Sequence, residues 1–254
     1  MARVSRGGAL VLLLSLVFGY VDTAAGGQEP TPSPGCVVLL HGLGRTALSM
    51  KALQWRLEDA GYGVVNITYP SLSHPIQELS RMAVDEGLAG CVALGLDRVS
   101  FVTHSLGGIL VRQYLAQHDI PGLQRVVMLG PPNQGSQMAD YLESLTLLEP
   151  FLPSAVVQLG LSEQSVPRRL GPVNFQLGVI AGTVNHLPFL PGQPEELGDG
   201  TVAVSETLVS GMADFLELPV SHTLMMWDKD VAEQVVFFLE HGVFNRHSPP
   251  FHAP

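Results

Sequence analysis

Val102-Thr103-His104-Ser105-Leu106-Gly107-Gly108 joins two different periodicities. Upstream, residues 98–103 form a short run rich in Val and Phe, the composition of a strand. Downstream, Ile109, Leu110, Tyr114 and Leu115 recur at helical spacing within 107–117. Ser105 therefore falls in the turn between a strand and a helix. A tight strand-to-helix turn flanked by small residues lifts a serine hydroxyl clear of the sheet. The helix start beside it favours negative charge that develops there, and the backbone N–H of Leu106 is a donor for an oxyanion.

The same alternation extends outward from this point. Continuous apolar runs at 36–40, 63–68, 123–129 and 175–181 predict four more strands, the first ending in His41-Gly42. Between them, Met50, Leu53, Leu57 and Ala60 predict a helix over 49–60, and Gly61 stops it. Pro75 opens another, with Ile76, Leu79 and Ala83 on one face, and 231–241 forms a last helix on Val231, Val235, Phe238 and Leu239. Alternating strand and helix predicts an α/β fold, with a mostly parallel sheet covered by helices on both faces. Strands buried on both sides account for part of a composition that is 46% hydrophobic and only 14% charged.

Another part of the apolar excess lies at the N-terminus. Arg3 and Arg6 precede an apolar run from Ala9 to Val21, followed by small residues at Thr23, Ala24, Ala25, Gly26 and Gly27. This is the pattern of a secretory signal peptide over 1–25, predicting a secreted or periplasmic protein. The alternative is an uncleaved membrane anchor, for which the run is short against the ~20 apolar residues of a span. Pro30, Pro32 and Pro34 mark 26–35 as a linker, 36–244 is read as the folded domain, and 245–254 as a flexible tail. The 254 residues carry a net charge of −10 and no basic run, which argues against nucleic-acid binding. Two cysteines, Cys36 and Cys91, are too few for a disulfide-dense scaffold or a cysteine-rich zinc site. In an oxidising compartment they pair, and otherwise they are buried thiols.

Thr103-His104-Ser105-Leu106-Gly107 resembles the G-x-S-x-G elbow of the alpha/beta hydrolase family, in particular its lipase-like members, with threonine in place of the first glycine. The resemblance covers roughly 36–241 and carries several implications. His41-Gly42-Leu43 supplies the other half of the oxyanion hole through the N–H of Leu43; the residues themselves read as His41 packed beneath the turn rather than catalytic, and Arg45 as a surface or loop-anchoring residue rather than a substrate clamp. The family order Ser, then acid, then His selects His222, in Leu218-Pro-Val-Ser-His222, as the base. It selects Asp199, in Gly198-Asp199-Gly200-Thr201, as the acid, with Asp140 the second choice. Leu129-Gly130-Pro131-Pro132-Asn133 is either a rigid turn or a wall of the pocket. In the family the first strand lies beside the nucleophile strand, which brings Cys36 and Cys91 near one another at the bottom of the sheet and implies a structural disulfide.

The expected activity is therefore cleavage of carboxylic esters, lipid-like ones in particular, through an acyl-enzyme on Ser105, His222 and Asp199. An acyltransferase or thioesterase using the same triad is one alternative, and a non-catalytic binding module on a hydrolase fold is another. No metal or cofactor is expected. The expected partners are a small or lipid ester substrate and, transiently, a lipid surface, and the chain is expected to be a monomer. The leucine-rich segment 138–172 is read as a lid over an acyl site, with packed helices as the plainer reading.

Overall fold

Six strands form one parallel sheet in the order β2-β1-β3-β4-β5-β6. They are β1 (Cys36–Leu40), β2 (Gly63–Ile67), β3 (Val99–His104), β4 (Leu123–Leu129), β5 (Leu177–Gly182) and β6 (Asp214–Leu218). The computed structural model describes Met1 and residues 34–145, 152–186, 188–189 and 191–246. The signal-like segment apart from Met1, most of the linker and residues 247–254 lie outside the described residues. Among the described residues no helix is long and apolar enough to cross a membrane.

The central strands are apolar throughout because both faces are covered. Val38, Leu40, Phe101, Val126, Met128 and Val179 face one core, packed under α2 (Ile76–Ala93) and α3 (Leu106–Leu115). Val37, Leu39, Val102, Val127, Leu129 and Ile180 face the other, under α1 (Lys51–Asp59) and the last helix, Lys229–His241. Alternate residues of one strand thus point to opposite layers, which keeps both faces of these strands apolar. The last helix starts at Asp228, whose side chain accepts from the N–H of Val231, and ends at Gly242 in the left-handed conformation.

Cys91, on α2, is joined to Cys36 at the start of β1 in a disulfide with a Cα–Cα distance of 5.7 Å. Cys36 sits at the N-terminal edge of the sheet, away from the loops that follow the strands. The structure adds one strand to the five read from sequence. β6 is an edge strand, half-buried along its length, and it carries Asp214 and Glu217, so it lacks an uninterrupted apolar run. The helix expected at 107–117 begins one residue earlier, at Leu106, with Ser105 in its N-cap position. Asn245 and Arg246, assigned to the tail, are fastened to the domain. Asn245 exchanges hydrogen bonds with Gln234, and Arg246 makes a forked ion pair with Asp214.

The strand order reverses between β1 and β3, since β2 lies outside β1 and the chain then returns to place β3 on its other side. Loops leaving the C-terminal ends of β1 and β3 diverge there and open a crevice, the usual ligand position in such sheets. His41-Gly42-Leu43 leaves β1 and Ser105 leaves β3 at this crevice.

Candidate active site

Ser105 has φ 53° and ψ −121°, and it is the one non-glycine residue with positive φ among the described residues. A side chain in that conformation is strained by about 1–3 kcal/mol and persists only where its surroundings enforce it. They do so here from both sides. The N–H of Ser105 donates to Leu129 O on β4, and its carbonyl accepts from Gly108. Gly107 lets α3 pass close beneath β1: a Cβ there would lie 2.7 Å from Leu40 O. Thr103, the departure from glycine at the first elbow position, is fully buried in β3 and does not disturb the turn.

Leu106 is the first residue of α3, so its N–H has no partner inside the helix. Leu43 lies opposite and shares a pocket of about 220 Å³ with Ser105. Gly42 holds this loop against the serine, since a Cβ on it would stand 3.2 Å from Ser105 Cβ and 2.7 Å from His104 Nδ1. The loop is braced by His41, which is fully buried and stacked on Tyr69 with ring centroids 4.0 Å apart. Its Nε2 accepts the Tyr69 N–H at 3.2 Å, so Nδ1 carries the proton and donates to Gly42 O at 2.8 Å. The Tyr69 hydroxyl donates to His41 O. Burial holds His41 below the ordinary histidine pKa, in keeping with a neutral structural ring.

His222 follows β6 and lies beside Asp199. Its Nδ1 is 2.7 Å from Asp199 Oδ2, both residues are buried, and the N–H of His222 donates to Asp199 O at 2.9 Å. The other carboxylate oxygen, Oδ1, accepts from the N–H groups of Thr201 and Val202 at 3.0 and 2.8 Å. Asp199 is thus held on three sides, and the carboxylate fixes which imidazole nitrogen carries the proton. His222 and Ser105 face one pocket, with no direct hydrogen bond between them in this structure. Asp140, the second choice for the acid, instead accepts from Leu161 N–H, Asp214 pairs with Arg246, and Asp228 caps a helix. His74, His118 and His241 bond locally, to Glu78, Tyr114 O and Phe237 O.

The pocket wall comes partly from the segment read as a lid. Its described parts are α4 (Gln137–Ser144), α5 (Ser154–Val157) and α6 (Val166–Arg169). Met138, Ala139, Leu142, Val156 and Leu159 line the cavity beside Ser105. These parts are tied down, since Ser136 N–H donates to Leu159 O and Ile76 N–H to Gln158 Oε1.

Four features of the site escaped the sequence reading. His104, beside Ser105 in the chain, turns its ring to pack at 4.6 Å on that of His222, and its Nε2 lies 3.0 Å from His222 O. That bond needs a proton on Nε2 and leaves Nδ1 bare and buried. Burial first, then the neighbouring His222 charge, hold His104 well below the ordinary histidine range. Gly130, read as part of a turn, lies against the acid–base pair: a Cβ on it would be 2.9 Å from Asp199 Oδ2 and 3.1 Å from His222 Nδ1. Glu206, on α7 (Val204–Thr207), is buried and accepts from Ala203 and Gln137 N–H groups, both at 2.8 Å, tying the acid loop to α4. Arg112, buried and pushed down to about 10 by desolvation, donates to Asn133, Pro167 and Gly171 and so ties α3 to the turn after β4 and to α6. Glu206 stands at N3 of its helix, but Ala203 at the N-cap lacks the Ser or Thr of a capping box, so its role, like the others, depends on which segments meet.

The profile of the Alpha/beta hydrolase family matches residues 37–251. The chain belongs to the alpha/beta hydrolase family. No curated protein sequence matches it significantly. Among solved structures, this family member is similar to lipase BlEst2 of Bacillus licheniformis in its mature form. The TM-score is 0.59 at 19% identity, over 78% of this chain and 89% of that one. It is also similar to phospholipase PlaB of Legionella pneumophila, with a TM-score of 0.60 at 18% identity over 82% of this chain. The chain spans only 60% of that phospholipase. A metagenomic carboxyl esterase gives a TM-score of 0.59 at 16% identity, over 77% of this chain and 66% of that one. At these identities the likeness is one of fold.

Proposed function

We propose that the protein is a serine hydrolase that cleaves carboxylic esters with an apolar acyl group. The observation that carries this reading is the buried His222–Asp199 pair, 2.7 Å apart, whose His222 lines a largely apolar pocket together with a serine on a strained strand-to-helix turn. As the Ser105 oxygen bonds to the acyl carbon, its proton passes to His222 Nε2 and the carbonyl π pair moves onto oxygen. That oxyanion is held by the N–H groups of Leu43 and Leu106, each such donor contributing about 2.7–4 kcal/mol in the transition state. Collapse breaks the bond to the alcohol oxygen, which takes the proton from His222. Water then attacks the acyl-enzyme, giving a proton to Nε2, and the acid leaves as Ser105 regains its hydrogen. Asp199 keeps the reactive tautomer in place and stabilises the imidazolium.

The apolar wall of Met138, Leu142, Val156 and Leu159 supports an acyl chain as the bound group, and the neighbouring folds include a lipase, a phospholipase and an esterase. The Cys36–Cys91 disulfide and the signal-like N-terminus together support action in an oxidising compartment outside the cytosol. Purified protein should hydrolyse p-nitrophenyl esters and react with a fluorophosphonate at Ser105, and Ser105→Ala should abolish both with the fold intact. Near wild-type turnover by Ser105→Ala would overturn the mechanism. A sharp preference for the shortest acyl chains would restrict the protein to small esters.

A further inference from the structure

We propose that Arg45 and the groove beside it receive an anionic group on the alcohol portion of the ester. The site would then favour acyl esters of phosphate- or carboxylate-bearing alcohols over neutral ones. This rests on the ester-hydrolase reading above and adds to it a substrate class.

Arg45 lies two residues beyond Leu43 and lines two cavities at once. One is the pocket of Ser105 and His222; the other is an adjoining groove of about 450 Å³ walled by residues 44–46 and 68–73. Neither is lined by an aspartate or glutamate, and Arg45 is the one lysine or arginine lining either among the described residues. Some other cations of this acidic chain are paired, Arg168 with Glu163, Arg246 with Asp214 and Lys229 with Glu233; what sets Arg45 apart is its place at the mouth of the serine's pocket. Arg45 is exposed and forms no ion pair among the described residues. An unpaired guanidinium at the mouth of a pocket is a fork of donors that fits a phosphate or carboxylate.

The loop that carries it is fixed. Arg45 N–H donates to Gly42 O, Gly44 N–H to Ser71 Oγ and Ala47 N–H to Thr68 Oγ1. The Thr68 hydroxyl is used here as an acceptor, so its own proton is available to an anion in the groove. Arg45 is also close enough to the catalytic crevice for its charge to help keep His104 neutral, after burial and the His222 charge.

Strand order gives the substrate its direction. Ser105 follows β3; Arg45 follows β1 on one side, and Leu142, Val156 and Leu159 follow β4 on the other. An ester lying across the serine with its acyl chain on the β4 side directs its alcohol portion toward Arg45. The groove there offers the hydroxyls of Thr46, Thr68 and Ser73 and one positive charge, set among apolar surface from Pro70 and Leu72.

The test compares 1-octanoylglycerol 3-phosphate with 1-octanoylglycerol, both below their aggregation limits and at low salt. Wild type should favour the phosphate ester in kcat/KM by about tenfold, through a charge-assisted contact that salt weakens. Arg45→Gln should bring the ratio close to one and Arg45→Glu should invert it. A wild-type ratio at or below one, or a ratio unmoved by Arg45→Gln, overturns the proposal. Equal inhibition of both esters by inorganic phosphate would mark a free-anion site and also overturn substrate recognition. Fluorophosphonate labelling separates the two levels. If Ser105 labels and esters turn over without dependence on residue 45, the anion groove alone fails. If Ser105 does not label and neither ester is cleaved, the hydrolase reading fails and the proposal with it.

Discussion

Gly130 stands immediately after β4 at φ 53°, and the nearest atoms to a Cβ built there are Asp199 Oδ2 at 2.9 Å and His222 Nδ1 at 3.1 Å. Gly130→Ala therefore carries two separable costs. The backbone cost is that of an L-residue in the left-handed region, about 1–2 kcal/mol. The second falls on the 2.7 Å bond between Asp199 and His222, because a methyl group needs more room than either contact leaves. Asp199 has little freedom to retreat, since Thr201 and Val202 hold its other oxygen. The imidazole is the group that must move, by some tenths of an ångström or more. A misplacement approaching 1 Å costs about 100-fold in rate, so kcat should fall roughly 10²-fold with KM changed little. The assay is kcat and KM on an octanoyl ester beside urea unfolding of the same preparation. Refutation would be a kcat within about threefold of wild type in a folded Gly130→Ala protein, because the glycine would then not be holding open the space of the acid–base pair.

The disulfide spans a sequence separation of 55, for which the chain-entropy model gives about 4 kcal/mol of stabilisation. Cys36→Ala with Cys91→Ala should lose about that much in urea unfolding and still cleave esters at 25 °C, because the bond lies at the end of the sheet away from Ser105; a loss under about 1 kcal/mol would contradict this. His41 and His104 are both held below the ordinary histidine pKa of 6.5, chiefly by burial. As pH falls below about 6.5 the unfolded chain takes up protons that these rings refuse in the folded state, so each removes up to about 1.4 kcal/mol of stability per pH unit. Glu206, raised by burial, works in the opposite sense, so the discriminating measurement is the slope of urea stability against pH from 7 to 5. That slope should flatten in His104→Gln, and an unchanged slope would show that His104 does not stay neutral.

The central strands were legible because burial on both faces leaves an unbroken apolar run, and β1 and β3 carry nothing but what two cores allow. β6 was not, because an edge strand is half-buried and tolerates Asp214 and Glu217, so its pattern is diluted. Ser105 was legible because its turn sits where one periodicity gives way to another. His222 and Asp199 needed the family's chain order, since nothing local distinguishes an Asp-Gly acid loop from an Asp-Gly turn. Gly130, Glu206 and Arg112 are set by contacts with segments far along the chain. Glu206 reaches Gln137 across 69 positions, and no window of sequence contains both.

Three histidines lie near Ser105, and proton placement decides which of them can act as its base. A general base needs a lone pair that faces the nucleophile and a partner that stabilises the cation once the proton arrives. His41 fails on the first count, because Tyr69 N–H occupies Nε2 and Nδ1 donates to Gly42 O. His104 has a bare Nδ1, but the Gly42 backbone closes over it, no carboxylate supports the ring, and its Nε2 proton is committed to His222 O. His222 alone has a carboxylate at Nδ1 and an Nε2 that makes no hydrogen bond among the described residues. The two rings that cannot be the base remain useful as neutral braces. His41 holds the loop that presents Leu43, and His104 holds the backbone of His222 while adding no positive charge beside the imidazolium of the proposed mechanism. In the proposed mechanism, uncharged rings at His41 and His104 let three histidines crowd one serine without opposing the single protonation of His222 that it requires.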